Sequence, residues 1–228
     1  MRKRGKRYKQ MLEALKDKPQ PMELGEALKI LKQFDTTKFD QTVEFVLNLG
    51  IDPRQSDQQV RGSIALPKGI GKTRKVIAFC DDSEAEAAKE AGAIEAGGES
   101  LVKKIQDGWL DFDVALATPA MMRLVGRLGR ILGPQGKMPS PKAGTVTADI
   151  VTGVKEYSAG KLEFRNDSGG NVHIVVGKLS FPEEDLKENI EAFVAHIKRM
   201  KPASAKGTFL KKAAVSATMS PGISVAVA

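Results

Sequence analysis

The sequence predicts a mixed α/β protein built in two parts. One is a discontinuous α+β domain, a split βαβ-like sheet with helices; the other is an inserted three-layer α/β domain of Rossmann-like type. Three observations predict this. Between Gly71 and Ser158, short apolar runs alternate with amphipathic stretches, as in parallel strands joined by right-handed crossover helices. On either side, extended runs with a period of two dominate, and neither flank holds a plausible complete sheet by itself. Strong punctuation at Pro67-Lys68-Gly69-Ile70-Gly71 and at Ser158-Ala159-Gly160 marks where the chain would cross between the parts. The expected division is residues 1–67 with 161–228, and 68–160, joined by a two-strand hinge that permits relative motion.

Taken in order, residues 1–18 carry Tyr8, Met11, Leu12 and Leu15 at helical spacing, which predicts a basic amphipathic helix. Leu24, Ala27, Leu28 and Leu31 behind Pro21 predict a second helix. Thr42 to Leu49 alternates, with Val43, Phe45, Leu47 and Leu49 on one side, and reads as a half-buried strand. Val60 to Leu66 is a second extended run. Val76 to Phe79 opens the insert, followed by a helix that a Ser83/Glu86 capping box would start and Gly92 would end. Ala93 to Ala96, a helix around Leu101, Val102 and Ile105, the run Val114 to Ala117, and a helix opened by Thr118-Pro119 continue the alternation. Leu162 to Phe164 and Val172 to Leu179 flank Asn166-Asp167-Ser168-Gly169-Gly170, a hairpin signal. Pro182 starts a helix with Glu183, Glu184 and Asp185 in its first turn and Lys198 and Arg199 at its end, an arrangement that complements the helix dipole. Ala213 to Ala217 is the last expected strand.

Charge is segregated. Residues 1–10, Val114 to Ala148 and Ala192 to Ala228 contain no acid and carry six, five and six Lys or Arg, 17 positive charges against +8 for the whole chain, so the other 146 residues sum to −9. A chain that must neutralise a polyanion concentrates charge in this way, which makes nucleic acid the leading partner. No apolar run approaches the roughly 20 residues needed to span a bilayer, so no membrane role is expected. Cys80 is the only cysteine, which excludes a disulfide framework and fits a reducing, cytoplasmic setting.

Catalytic and cofactor chemistry finds little support. Gly71-Lys72-Thr73 resembles the end of a phosphate-binding loop, but the glycine required five positions earlier is Leu66, and the segment precedes its strand. No GxGxxG follows a strand. His173 and His196 lie far apart without companion cysteines, so neither a metal nor a cofactor is expected. Asp81, Asp111 and Asp113 sit at strand ends and leave a nucleotide-dependent enzyme as the competing class; a general RNA chaperone is a milder alternative. The least ordinary stretch runs from Gly126 to Thr145. Its glycines and prolines predict an irregular, exposed loop, and Arg123, Arg127, Arg130, Lys137 and Lys142 meet no acid there, so its backbone and cations suit phosphates.

This stretch resembles the bacterial family of ribosomal protein L-one. So do Thr37-Lys38-Phe39, Leu49-Gly50-Ile51-Asp52-Pro53-Arg54, Ser56-Asp57-Gln58, Val60-Arg61-Gly62, Phe164-Arg165-Asn166-Asp167, Lys206-Gly207-Thr208 and Thr218-Met219, in order over essentially the whole chain. The resemblance implies a non-enzymatic constituent of the large ribosomal subunit that binds large-subunit rRNA at the mobile stalk near the tRNA exit site. It also implies assistance to the release of deacylated exit-site tRNA, repression of translation of its own operon mRNA, and a monomer when off the ribosome. It places the RNA surface on Lys38, Phe39, Thr42, Glu44, Arg165, Asp167, Thr208, Thr218 and Met219. The charge map adds Arg127, Arg130, Lys137 and Lys142 as a secondary basic surface, which is not the family's principal rRNA site and would face a second anion, tRNA or neighbouring rRNA. Those residue types suit duplex RNA, which is read by shape, phosphates and 2′-hydroxyls that both donate and accept. Strand parity equally admits Phe39 as a core residue beside Val43 and Phe45, and Met219 as packing beneath the surface. The chain departs from common family spellings at Gln41, Gln135, Lys137, Ser168 and Ser220, and Ser220 in place of the usual glycine puts close backbone approach there in question.

Overall fold

The computed structural model describes residues 5–16 and 18–226; Arg2, Lys3 and Arg4 of the basic start lie outside the described residues. In chain order the elements are α1 (Lys6–Lys16), α2 (Leu24–Gln33), β1 (Thr42–Leu49), β2 (Arg61–Ile64), β3 (Val76–Phe79), α3 (Asp82–Glu90), β4 (Glu95–Gly97), α4 (Glu99–Gln106), β5 (Val114–Ala117), α5 (Met122–Val125), α6 (Gly129–Leu132), α7 (Ile150–Ser158), β6 (Leu162–Arg165), β7 (Asn171–Lys178), α8 (Glu183–Arg199), β8 (Leu210–Ala217) and β9 (Ile223–Val225). Cα proximity divides the chain into two compact units. One comprises Met1–Val60, Leu66–Gly71 and Phe164–Ala228, the other Arg61–Ala65 and Lys72–Glu163.

The first unit is built on an antiparallel sheet of order β7-β1-β8-β9. The alternation read in Thr42–Leu49 is realised: Val43, Phe45, Leu47 and Leu49 are buried. Phe45 meets Phe193 of α8 edge to face, with ring centroids 6.3 Å apart. Leu186, Ile190, Phe193 and Ile197 form the buried stripe of α8, while Ala27, Leu28, Ile30 and Leu31 form that of α2. Burying a full aliphatic or aromatic side chain is worth about 1.5–3 kcal/mol, so these two stripes anchor both helices. One polar residue interrupts the α8 stripe. Asn189 is fully buried, donates through Nδ2 to Val176 O (2.8 Å) and Gly69 O (3.0 Å), and accepts at Oδ1 from Lys68 N (3.0 Å).

The pairing of β1 with β7 slips by one residue. Val43 opposes Gly177 and Glu44 opposes Val175, so Val176 has no partner across the ladder. Such a bulge reverses the inward and outward alternation beyond it. Gly177 permits it: its φ is +153°, and a Cβ there would lie 2.9 Å from Leu186 Cδ2 and 3.0 Å from Phe181 Cδ2.

The second unit holds a parallel sheet of order β4-β3-β5. β3 and β5 are buried on both faces, and their alternate residues sort into two cores. Ile77, Phe79, Ala115 and Ala117 pack with Leu101, Val102 and Ile105 of α4 and with Val125, Leu128 and Leu132; Val76, Ala78, Cys80, Val114 and Leu116 pack with Ala88 of α3 and Ile150, Val154 and Tyr157 of α7. Helices therefore cover both faces of this sheet.

Four local expectations are corrected. The capping box does not form: α3 begins at Asp82, and Asp81 occupies the N-cap without a side-chain bond, which leaves Ser83 inside the first turn. The Thr118-Pro119 helix starts only at Met122 and is broken, α5 passing through a 3-10 turn at Gly126–Leu128 into α6, because two glycines in four residues weaken the α-helical preference. Residues 126–132 of the stretch expected to be irregular are accordingly helical. The segments around Asn166–Gly170 do not form an ordinary hairpin: β6 pairs with β2, β7 pairs with β1, and they are linked by an Asn166–Val172 bridge and an Asp167 N to Asn171 O bond of 2.8 Å. Long-range partners outcompete the local turn.

Candidate nucleic-acid interface

The residues assigned to the RNA surface fall into two groups at opposite ends of β1, whose eight residues span about 24 Å at the usual rise per residue. At the Thr42 end stand Lys38, Phe39, Thr42, Thr218 and Met219. At the Leu49 end stand Arg165, Asp167 and Thr208, the last beside Gly50, where a Cβ would strike the Thr208 carbonyl. Glu44 lies between them on the sheet face turned away from the α8 core, opposite Val175 and Ser216. It is exposed and has no partner among the described residues.

At the Thr42 end the strand does not reach back to Phe39. Gln41 takes the buried position that parity would extend, and Phe39 is 51% exposed. Phe39 is therefore a surface residue, and so is Met219, 45% exposed. Gln41 ties this corner together: its Nε2 donates to Phe34 O (3.4 Å), its Oε1 accepts from Met219 N (3.0 Å), and its carbonyl accepts from Leu179 N (2.8 Å). Thr218 Oγ1 accepts from Thr42 N at 3.1 Å, and Lys178 Nζ donates to Thr42 Oγ1 at 2.9 Å. Ser220 folds its hydroxyl back on the turn, accepting from Ala217 N (2.8 Å), so its side chain turns inward where the family commonly has glycine. Thr37 Oγ1 donates to Phe39 O (2.9 Å), which fixes the loop carrying the exposed Lys38.

At the other end Asp167 organises the turn. Oδ1 accepts from Gly169 N and Asn171 N, both at 2.8 Å, and Oδ2 accepts from Asn171 Nδ2 at 3.0 Å. The Asn171 side chain first, then these backbone N–H groups, hold the carboxyl below the usual aspartate range. A carboxylate has about four acceptor positions, so Oδ2 retains one, with His173 Nε2 3.7 Å from that oxygen. Arg165 is exposed beside this turn and forms no ion pair among the described residues.

In the second unit, Arg123, Arg127 and Arg130 are exposed along the broken helix, and Lys142 is exposed on the turn Pro141–Ala143. None makes an ion pair among the described residues. Lys137 differs from them: half-buried, it donates to Leu110 O (3.0 Å) and lies 4.9 Å above the Phe112 ring, so its head is directed into the unit. Of the acids considered for catalysis, Asp111 and Asp113 have structural partners, while Asp81 sits at the N-cap of α3 without a side-chain bond. Lys75 Nζ bonds both oxygens of Asp111 (2.7 and 2.8 Å), and Asp113 accepts from Lys75 N (3.1 Å). Cys80 is buried, and burial pushes its thiol up. Among the described residues, no three His, Cys, Asp or Glu gather as a metal site would require.

Sequence reasoning missed Lys178 and Asn189. Asn189 left a signal, a polar residue three positions after Leu186 on the buried stripe. Lys178 left none, because its orientation depends on the bulge.

Comparison with known proteins is consistent across the chain. The model of the family described as ribosomal protein L1p/L10e matches residues 31–221. A curated relative from Rhodopirellula baltica, a large ribosomal subunit protein uL1, is 58% identical over 226 residues, 99% of this chain and 100% of that protein. Another of the same description, from Kosmotoga olearia, is 52% identical over 225 residues, 98% of this chain and 96% of that one.

Proposed function

The chain belongs to the ribosomal protein L1p/L10e family, and we propose on that premise that it is a structural, non-enzymatic constituent of the large ribosomal subunit. It binds large-subunit rRNA at the mobile stalk through the discontinuous domain, residues 1–67 with 161–228, while residues 68–160 form the insert. The observation that carries this reading is the corner made by Thr42, Thr218 and Lys178, flanked by the exposed Phe39 and Met219 and the unpaired Lys38. Apolar surface beside hydroxyls and a free cation suits a ribose-phosphate backbone, which offers sugar faces, 2′-hydroxyls and phosphates together.

The remaining parts of the surface have distinct work. Glu44 accepts from 2′-hydroxyls. Arg165 contacts phosphate, and Asp167 holds the turn beside it while keeping one acceptor position for RNA. Thr208 supplies a further exposed hydroxyl. Arg127, Arg130 and Lys142 form the secondary basic surface, which meets exit-site tRNA as it is released or neighbouring rRNA. Repression of the protein's own operon mRNA follows if that message offers the same fold as the rRNA site. Off the ribosome the chain is a monomer, and on it the protein shares the ribosome's cytoplasmic location.

The test is binding to a transcript of the large-subunit stalk across a salt series. With five or six phosphates neutralised, log affinity falls against log salt with a slope of about −4 to −5, from roughly 0.7–0.9 per phosphate. Thr218→Ala weakens this binding by about 1–3 kcal/mol and hardly affects bulk tRNA. A flat salt response, or equal affinity for the stalk transcript and bulk tRNA, refutes the proposal.

A further inference from the structure

The bulge in β7 has a chemical consequence at the interface. By strict alternation from Ile174 and Val176, both buried, Lys178 would point into the core. The extra residue at Val176 reverses the parity, and Lys178 instead stands directly across from Thr42, on the same side of the sheet. Its stem is held there. Gly71 has φ +69°, and a Cβ at that position would come within 3.3 Å of Lys178 Cγ and 2.9 Å of Phe181 Cε1, so the base of the aliphatic chain lies against Gly71. Lys178 makes no ion pair among the described residues, and its ammonium is directed at one group, Thr42 Oγ1, at 2.9 Å.

A lysine ammonium can only donate, and a hydroxyl has one proton and two lone pairs. With an ammonium donating to it, the Thr42 oxygen is an acceptor on that side, and its own proton points elsewhere. No acceptor for that proton is found among the described residues. The neighbouring Thr218 Oγ1 is likewise occupied as an acceptor by Thr42 N. We infer that Lys178 is a positioning residue that fixes the polarity of this corner: it makes Thr42 a hydrogen-bond donor, so the group recognised there is an acceptor oxygen of the RNA backbone, either a 2′-oxygen or a phosphate oxygen. Donation from a charged group also draws electron density from the hydroxyl and strengthens the bond its proton makes. Glu44, two residues along the same face, is acceptor-only when ionised. Donor and acceptor thus stand side by side on β1, and their order gives the backbone a direction along the strand.

This inference rests on the rRNA-binding reading, and the experiment separates the two. Binding to the stalk transcript is measured for the wild-type chain, Lys178→Met, Thr42→Val, the double variant and Lys178→Arg, with melting temperatures to confirm folding. Each single variant should lose about tenfold or more in affinity, as expected when a charge-assisted bond is removed. The double variant should bind no more weakly than the weaker single, and Lys178→Arg should recover most of the loss. The salt slope should not change in Lys178→Met, because the lysine acts through Thr42. Transcripts carrying single 2′-deoxy or methylphosphonate substitutions then identify the oxygen: one such substitution weakens the wild-type chain but not Thr42→Val. Independent, additive losses overturn the inference. So does a slope shallower by about one unit, which marks a direct phosphate contact. Sensitivity of Thr42→Val to every substitution also overturns it. Failure of the wild-type chain to bind the transcript sinks the rRNA reading instead.

Discussion

Replacing Asn189 by leucine keeps the branched shape and the number of side-chain heavy atoms, adds the bulk of two methyl groups, and removes three hydrogen bonds at once. Those bonds join α8 to Lys68, to Gly69 and to Val176, the bulged residue of β7, so one side chain ties three separate stretches of the first unit. Each bond is worth about 1 kcal/mol net, and each buried backbone group left unpaired adds a desolvation penalty of similar size, so the loss should be about 3 kcal/mol or more. With an m-value of about 2–3 kcal/mol/M in urea, the midpoint followed by circular dichroism should fall by about 1–1.5 M. Asn189→Asp should be worse at neutral pH. A carboxylate still accepts from Lys68 N but confronts the carbonyls of Gly69 and Val176 with no proton to give. Burial raises the pKa of such a group, so that variant should gain stability as pH falls and the carboxyl protonates. A midpoint shift under about 0.3 M for Asn189→Leu, less than one of the three hydrogen bonds, would show that water replaces the amide and that the reasoning is wrong.

Two titrations test other parts of the structure. Asp167 is held below the ordinary value of 3.8, so the stabilisation it gives the turn is present above that value and is lost as pH falls below it, through the lowered folded-state value. Hydrogen exchange at Gly169 and Asn171, corrected for the intrinsic rate, should show protection falling in that acid range, and Asp167→Asn should abolish the pH dependence. In the second unit, Tyr157 is buried and donates to Ala143 O at 2.9 Å, and burial pushes its pKa up to about 12 from 10.0. Its neutral form is favoured in the folded state, so its contribution is complete below pH 10 and is lost as pH rises towards 12. Alkaline melting curves should show that loss, and Tyr157→Phe should flatten it.

Most of the fold was legible because period and burial agree. Thr42–Leu49 alternates against one core, while the strands Val76–Phe79 and Val114–Ala117 are apolar throughout because helices cover both faces of their sheet. What escaped depends on non-local pairing. The turn at Asn166–Gly170 looks like a hairpin, yet β6 and β7 pair with β2 and β1, which no local signal specifies. The strand Ile223–Val225 is short and pairs with β8 on one side and a lone bridge to Met22 on the other, and the helix Ile150–Ser158 follows a loop whose Asp149 cap accepts from Thr152 N at 3.0 Å, neither of which the local pattern marks. At the candidate interface, residue types pointed to RNA, but the orientation of each group did not follow from them. Phe39 lies beyond the strand that parity would have extended, Lys137 turns inward over Phe112, and Lys178 turns outward past a bulge.

On the proposed rRNA-binding reading, Glu44 is the residue that tests specificity, because a basic protein that only needed affinity would have no acid on the strand proposed to face RNA. Its carboxylate is exposed on the face shared with Thr42, and no cation neutralises it among the described residues. Phosphates approaching that face at random are repelled, whereas an RNA whose fold presents a 2′-hydroxyl there gains a charge-assisted bond. The charge therefore penalises every ligand and rewards one. Glu44→Gln keeps an acceptor oxygen and removes the charge, so binding to bulk tRNA should tighten by a few-fold while binding to the stalk transcript weakens by about tenfold, the loss of roughly 1.4 kcal/mol. Specificity, the ratio of the two, should fall by more than either affinity changes. If the substitution instead tightens both ligands equally, Glu44 acts only through long-range repulsion and makes no bond to the RNA.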